Sequence, residues 1–333
     1  MAKKSNQKLK TLYVLDVLKK YSDEEHPLNA ADIIKHLEEK GVLAERKSVY
    51  DDVATLEYYG ADIIKTDTPK VGWFIGEKEF ETPEIFLLCD AVQSAKFISA
   101  KKTRELINKL NSMLSVYQSD RRNKGVFFSL SEKSGNEEIY YNIDKINKAI
   151  EENRHIKIKY FQRKFDKNRA VSGVSKEMVI NPYALSWQDD HYYLIGNYEK
   201  YDNLIHLRLD RIRSAELLHT KSRHFSEVSE YKDFFDTAHY TEKLFGMFSG
   251  KTESVKLWCK RDITEQVLDR FGENIFITDV TEEGFKFKVD AVLSDALVTW
   301  ILNYGDKLKV ESTTVLKDMV KKRAREVLAL YEE

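Results

Sequence analysis

Cysteine is nearly missing from this chain: Cys89 and Cys259 are the only two in 333 residues. Two thiols so far apart build no disulfide framework, and no His/Cys cluster has zinc-site spacing; the pattern fits a reducing, cytoplasmic setting. No run of about 18 apolar residues occurs, so no transmembrane helix and no membrane partner are expected. The opening Met1-Ala2-Lys3-Lys4-Ser5-Asn6-Gln7-Lys8 lacks the apolar stretch of a secretory signal. Internal repeats and low-complexity tracts are missing too. So is an excess of one charge: 54 Lys+Arg against 55 Asp+Glu leave a formal net charge of −1. Nucleic-acid binding would therefore have to rest on local patches.

Catalytic signatures are equally scarce. The chain holds no glycine-rich phosphate loop of the P-loop type and no Gly-x-Ser-x-Gly elbow. Asp189-Asp190-His191 could be read as a metal or acid–base group, but adjacent polar residues between two strands are the ordinary composition of a turn. The expectation is a protein without catalytic residues, bound metal or cofactor, and not an enzyme. What is present is core material, 42% hydrophobic and 12% aromatic residues. At roughly 100–200 residues per domain, the length predicts two or three domains.

Helical spacing of Val14, Leu15, Leu18 and Tyr21 predicts a first helix. Asn29 can cap a second, with Ile33, Ile34 and Leu37 as its apolar stripe and Gly41 as its stop. A third carries Val49, Val53 and Leu56 inward and ends at Gly60. Two short apolar stretches, 62–65 and 71–75, flank a turn at 66–70 and predict a hairpin. This order is that of a winged helix-turn-helix, which lays its third helix in the major groove. Arg46, Lys47, Ser48 and Tyr50 fall in the first turns of that helix, and Lys65 and Lys70 flank the hairpin. Lys3, Lys4, Lys8 and Lys10 form an arm free of acids. These are the candidate contacts to double-stranded DNA. The plain alternative is a helical interaction domain with solvated lysines, since residues 1–75 hold 12 Lys/Arg against 13 Asp/Glu.

Thr82-Pro83-Glu84 opens a long helical region predicted to reach Tyr117, with Leu87, Leu88, Ala91, Val92 and Ala95 as its apolar face. Residues 119–125 read as a linker. A helix bearing Ile143, Ile146 and Ile150 then precedes closely spaced strands around 156–160, 178–180, 192–195 and 204–212, which suggest a small barrel. The polar stretch 163–175 reads as a loop. In the strand Leu204 to Arg211, period-two alternation places His206, Arg208 and Asp210 on one face, where a His and an Arg could grip an anion. The plain alternative is the wet side of a strand. Residues 151–213 hold 12 Lys/Arg and 9 Asp/Glu, a lean towards an anionic ligand. The last segment reads strand, helix, strand, strand, helix, strand, the ferredoxin-like order, closed by a helix over 314–331.

Three stretches stand in a familiar order: Asn181-Pro182-Tyr183-Ala184-Leu185, then His191-Tyr192-Tyr193-Leu194-Ile195-Gly196, then Leu207-Arg208-Leu209-Asp210-Arg211-Ile212. Together they resemble the WYL-domain family of bacterial transcription regulators, with Tyr192-Tyr193-Leu194 where that family's Trp-Tyr-Leu stands. Residues 46–53 resemble the recognition helix of a DeoR-type winged helix, with Asp51 in place of the usual Arg and Glu45 in place of the capping Ser or Thr. Residues 244–250 and the segment after them resemble the family's C-terminal extension, often a dimer contact. The resemblance implies an α+β multidomain chain: a winged helix-turn-helix over 1–78, a helical linker or dimerisation region over 79–139, an SH3/Sm-like WYL sensor barrel over 140–222, and a ferredoxin-like extension over 240–333. It implies a homodimeric, ligand-responsive transcription regulator whose barrel senses a single-stranded nucleic acid or nucleotide-like anion. Tyr183, Ser186, His206, Arg208 and Arg211 would be the ligand face, although Arg211 could instead partner an acid structurally. The rival reading is a nucleic-acid sensor, related to defence or DNA damage, that controls a partner enzyme rather than a promoter.

Overall fold

The computed structural model describes residues 9–123, 133–165 and 171–332. The architecture mixes helices with three separate sheets and divides into two compact units, Met1–Gly135 and Asn136–Glu333.

In the first unit, α1 (Lys10–Tyr21), α2 (Ala30–Glu39) and α3 (Arg46–Tyr59) close on a core that includes Val14, Leu18, Ile33, Leu37, Val49 and Val53. Asn29 caps α2: its side chain accepts from the amides of Ala31 and Asp32, and the Asp32 carboxylate accepts from the amide of Asn29. α3 stops at Gly60, whose φ of +106° suits glycine. The hairpin follows as β1 (Ile63–Thr66) and β2 (Gly72–Ile75), antiparallel with Ile63 opposite Ile75. A Cβ on Gly72 would lie 2.8 Å from the Leu28 backbone, so glycine is what allows Leu28 and Trp73 to exchange two backbone hydrogen bonds.

One charge pair sits inside this bundle. Lys10 Nζ lies 2.8 Å from Asp52 Oδ2, with the two side chains only 13% and 9% exposed. Thr11 Oγ1 donates to Asp52 Oδ1 at 2.6 Å, and Lys10 also donates to the hydroxyl of Ser48. Lys10 is therefore not part of a free basic arm; it ties α1 to α3. Lys3, Lys4 and Lys8 lie outside the described residues.

The stretch after the hairpin differs from the single long helix expected. It forms α4 (Thr82–Ser94), α5 (Ala100–Asn111) and α6 (Val116–Asn123). The first break occurs where Ala95, Phe97 and Ile98 are buried and Ser99 restarts the chain, its hydroxyl accepting from the amide of Lys102 at 3.2 Å. At the second, Ser115 and Gln118 cap each other reciprocally at 3.1 Å, so 116–123 is helix rather than linker. The inward stripe of α4 is also out of the expected phase. Ile85 and Cys89 are buried against Leu114, whereas Leu87 is 71% exposed.

In the second unit, α7 (Ile139–Glu151) covers one face of a five-stranded antiparallel sheet ordered β6-β5-β4-β3-β7. Its strands are β3 (Arg154–Phe165), β4 (Val171–Gln188), β5 (His191–Tyr198), β6 (Leu204–Arg208) and β7 (Ile212–Lys221). Much of the polar stretch 163–175 is not loop but ladder, with Phe165 opposite Val171 and Phe161 opposite Ser175. A strand ladder is made by backbone groups, so polar side chains do not stop it. The strand expected to run to Ile212 ends at Arg208, and a 3₁₀ turn at Leu209–Arg211 follows. After the short helix α8 (Thr237–Glu242), β8 (Thr252–Lys260), α9 (Thr264–Phe271), β9 (Phe276–Val280), β10 (Gly284–Val292), α10 (Asp295–Asn303) and β11 (Leu308–Ser312) build a second sheet ordered β11-β8-β10-β9. The helix α11 (Thr314–Ala329) closes the chain.

The internal charge pair makes a prediction. Asp52→Ala leaves the Lys10 ammonium enclosed without its partner, at a cost of about 3–5 kcal/mol. Hydrogen exchange should show protection diminished across α1 and α3, and Lys10→Met with Asp52→Leu should recover most of it. Unchanged protection in Asp52→Ala would mean the pair does not hold the bundle.

Candidate nucleic-acid interface and sensor site

The first unit gathers four of the expected DNA contacts, Arg46, Tyr50, Lys65 and Lys70, around one groove of about 630 Å³. It is lined by Asn29 at the start of α2, Arg46 and Tyr50 of α3, and Lys65, Lys70 and Trp73 of the hairpin. Tyr50 meets the buried Trp73 edge-on, ring centroids 4.9 Å apart, so the aromatic floor joins the third helix to the hairpin. Arg46, Lys47 and Lys65 are exposed and have no carboxylate within 4 Å among the described residues. Their charge is open to a ligand. Two other expected contacts are already engaged. Lys70 Nζ lies 2.9 Å from Asp32, and the Ser48 hydroxyl is taken by Lys10. Burial would raise the Asp32 carboxyl, but the Lys70 hydrogen bond and the Asn29 amide hold it below its ordinary range. Asp51 is exposed one turn beyond Lys47, the only acid in the first two turns of α3 apart from the inward Asp52.

The expected ligand face of the second unit does not assemble as one patch. In the sheet register Ser186, Tyr193 and Arg208 form one row and Ala184, Ile195 and His206 the next, all on the face opposite α7. Part of that face is covered. Ile195 packs with Leu244, Met247 and Val292, and Ala184, Tyr193, Phe235 and Tyr240 pack around them.

His206 lies under this cover rather than on an exposed face. Its Nε2 is 2.9 Å from the Tyr240 hydroxyl and its Nδ1 3.3 Å from Ser249 Oγ. Burial pushes its pKa down to about 4, so it is neutral at physiological pH and cannot gain anion affinity near pH 6.5. Tyr183 is also enclosed: its hydroxyl donates to the Arg223 carbonyl at 3.0 Å and its ring stands beside Phe225 and Phe235.

The remaining three residues do converge. Burial pushes the Tyr193 phenol up, and the charges of Arg208, Asp189, Asp210 and Arg211 all act on it. Arg208 is clamped by Asp210 through a two-point bond, Nε to Oδ1 at 3.0 Å and Nη2 to Oδ2 at 2.7 Å. The 3₁₀ turn brings Asp210 back to Arg208; strand alternation alone would have set them side by side. Beside them His191 Nδ1 is buried with no hydrogen-bond partner among the described residues. Its ring centroid is 6.4 Å from that of Tyr193. Sequence reasoning weighs His191 only within Asp189-Asp190-His191 and sets it aside as a turn, and it uses Tyr193 for the family resemblance without placing it at the site. The signal was available in their period-two spacing on the strand beside Arg208.

Residues 141–217 match the family described as WYL domain. This chain carries a WYL domain. It comprises most of α7 and β3 through much of β7, and so contains the Ser186, His191, Tyr193, Arg208 and Asp210 cluster. No curated protein matches the chain. Among solved structures, it is similar to the Proteasome accessory factor B/C (PafBC) of Arthrobacter aurescens at 16% identity and a TM-score of 0.28, over 97% of this chain and 49% of that one. The chain thus spans about half the length of that structure. No helix among the described residues is long and apolar enough to cross a membrane.

The cover over the WYL domain makes its own prediction. Folded His206 accepts a proton only near pH 4, whereas an unfolded His accepts one near about 6.5. Between these values the unfolded chain binds the extra proton, so stability falls as pH is lowered through this window, by at most about 3 kcal/mol. Urea unfolding in a Trp73→Phe background, where all remaining tryptophans report the second unit, should show that fall. His206→Gln should flatten it. An equal acid destabilisation in His206→Gln would assign the effect to other groups.

Proposed function

We propose that this chain is a DNA-binding transcription regulator that works in the cytoplasm as a homodimer and whose WYL domain answers to a nucleotide-like anion. On this reading it binds and does not catalyse. The observation that carries the reading is the groove of the first unit. The third helix and the hairpin turn Arg46, Tyr50 and Lys65 towards one concavity, with Lys47 adjoining, as a winged helix-turn-helix needs for one helix in the major groove and a wing on the backbone. The family resemblance of residues 46–53 supports the same assignment, and a regulator is what the presence of a WYL domain suggests. The two sheets of the second unit fit an SH3/Sm-like barrel and a ferredoxin-like βαββαβ extension; the strand order β11-β8-β10-β9 is the one such an extension would have.

The effector site of this reading is the Tyr193 cluster rather than the whole expected ligand face. Arg208 supplies the fork, Ser186 and Arg211 flank it, and the orphaned nitrogen of His191 offers one more bond. Asp210 occupies the fork meanwhile, so an anion must displace it.

The deciding measurement is duplex binding at several salt concentrations. Arg46→Ala with Lys47→Ala should weaken binding to the preferred duplex by about 1–3 kcal/mol for each good base interaction removed. Parent-like affinity in the double variant would remove the groove from the reading. A chain that binds single strands but no duplex would instead be the sensor of a partner enzyme. For the effector site, Arg208→Ala should abolish nucleotide binding to the full chain and Asp210→Asn should strengthen it. Equal binding in parent and both variants would overturn that assignment.

A further inference from the structure

The second sheet of the second unit has one face that its helices leave open. Val255, Leu257 and Cys259 of β8, Phe285 and Phe287 of β10, and Leu308 and Val310 of β11 all point into one core with α9, α10 and α11. The residues between them must point the other way. On that opposite face Trp258 stands on β8, one of the two inner strands. The register places Lys286 directly beside it on β10 and Lys309 directly beside it on β11. One row along, Lys256 and Lys288 are partners in turn. Trp258 is not part of the core that the helices make with the other face of its sheet. A half-buried indole off that core, set among four lysines, is a ring whose cover a ligand can complete.

We propose that this sheet face binds single-stranded nucleic acid, with a base stacked on Trp258 and the neighbouring phosphates held by the lysines. The face uses none of the residues of the first unit and so stands apart from the duplex reading. An aromatic ring on an open sheet offers every base a stacking surface, and lysines on both sides track a backbone that passes over it. Charge favours this occupant over an apolar one. Lys256 and Lys288 have no carboxylate within 4 Å among the described residues. Lys286 and Lys309 do have partners, Asp279 and Glu311, each at 3.0 Å. Those pairs are partly solvated, Lys286 33% with Asp279 48% exposed and Lys309 68% with Glu311 27%, and pairs of that kind contribute little and can yield to phosphate. Asp290, exposed beyond Lys288, marks the end of the basic strip. A duplex would fit poorly, because its bases are already stacked and cannot reach the indole.

The test uses the full chain, with matched unstructured oligonucleotides of DNA and of RNA followed by fluorescence anisotropy. Trp258→Ala should weaken binding by about tenfold or more, the usual worth of one stacked base, and Trp258→Phe should keep most of the affinity. Lys286→Ala with Lys309→Ala should lower the salt slope by about 1.4, at roughly 0.7 per phosphate on a single strand. Trp258→Ala should leave duplex binding at its parental strength, which separates this face from the groove of the first unit. Stronger binding of RNA than DNA, or the reverse, would tell which backbone the face prefers, and either result supports the proposal. Failure of the parent to bind either strand, or equal binding by Trp258→Ala and Trp258→Phe at parental strength, would overturn it. So would a Trp258→Ala chain that keeps its full affinity while the lysine variant does not, since that marks a bare polyanion patch.

Discussion

A β-strand has two faces, and the second unit of this chain has helices enough to bury only one face of each sheet. That constraint decides which side chains can serve a ligand. In the five-stranded sheet, α7 takes the face of Leu194 and Leu207, and the rows of Ser186 and His206 are turned the other way. The segment around Phe235 to Met247 then settles over half of that second face. His206 and Tyr183 go under the cover, while Tyr193 and Arg208 stay at its margin. In the four-stranded sheet three helices share one face, and the Trp258 row stays outside.

The interior polar contacts sort the remaining charges in the same way. Lys10 and Asp52 are spent on holding α1 against α3, and Lys70 and Asp32 on fixing the hairpin to the start of α2. The enclosed Lys10–Asp52 pair orients the third helix and is not free to meet a ligand, whereas the Lys70–Asp32 pair, 49% and 34% exposed, is solvated and can yield to phosphate. Arg46, Lys47 and Lys65 are left with no internal task. A count of lysines near a helix–turn–helix therefore overstates its ligand contacts. The relevant number is the charge that remains after the frame has been fixed.

The order of elements is legible in the sequence wherever apolar residues keep a clean period. The stripe Ile33, Ile34, Leu37 marks α2, and the alternation Val255, Leu257, Cys259 marks β8. Legibility ends where local chemistry interrupts a period. Nothing in the spacing of 82–117 announces that Phe97 and Ile98 are pulled inward and break the helix, although the Ser115/Gln118 capping pair can be read. The phase of α4 is hidden because Leu87 and Leu88 are as apolar as Ile85 and look more apolar than Cys89. At the sensor site, period-two alternation over 204–211 continues three residues too far, into what is a 3₁₀ turn. Alternation makes His206 an exposed partner of Arg208, whereas burial holds it neutral and Asp210 holds the arginine. The WYL resemblance points to a segment within 141–217, the residues that match that family, but cannot say which of its polar residues the rest of the chain covers.

A chain with a formal charge of −1 can still present cationic surfaces, because charge acts locally in salt water. At physiological ionic strength the Debye length is about 8 Å, so an acid several turns away scarcely weakens the field at a given lysine. What matters is whether an acid lies within that reach and whether it is free to oppose the ligand. Around Arg46 and Lys47 the near acids are Glu45 and Asp51, both exposed, so an anion there meets a built-in repulsion. Around Trp258 two of the near acids, Asp279 and Glu311, are occupied by the lysines that would do the binding, and Asp290 stands exposed at the end of the strip. A phosphate arriving there exchanges one carboxylate partner for another anion and leaves the carboxylate to water. On the proposed reading the two surfaces therefore work differently: the groove would rely on shape and base contacts to overcome Glu45 and Asp51, whereas the sheet face would suit a flexible strand whose bases can reach the ring.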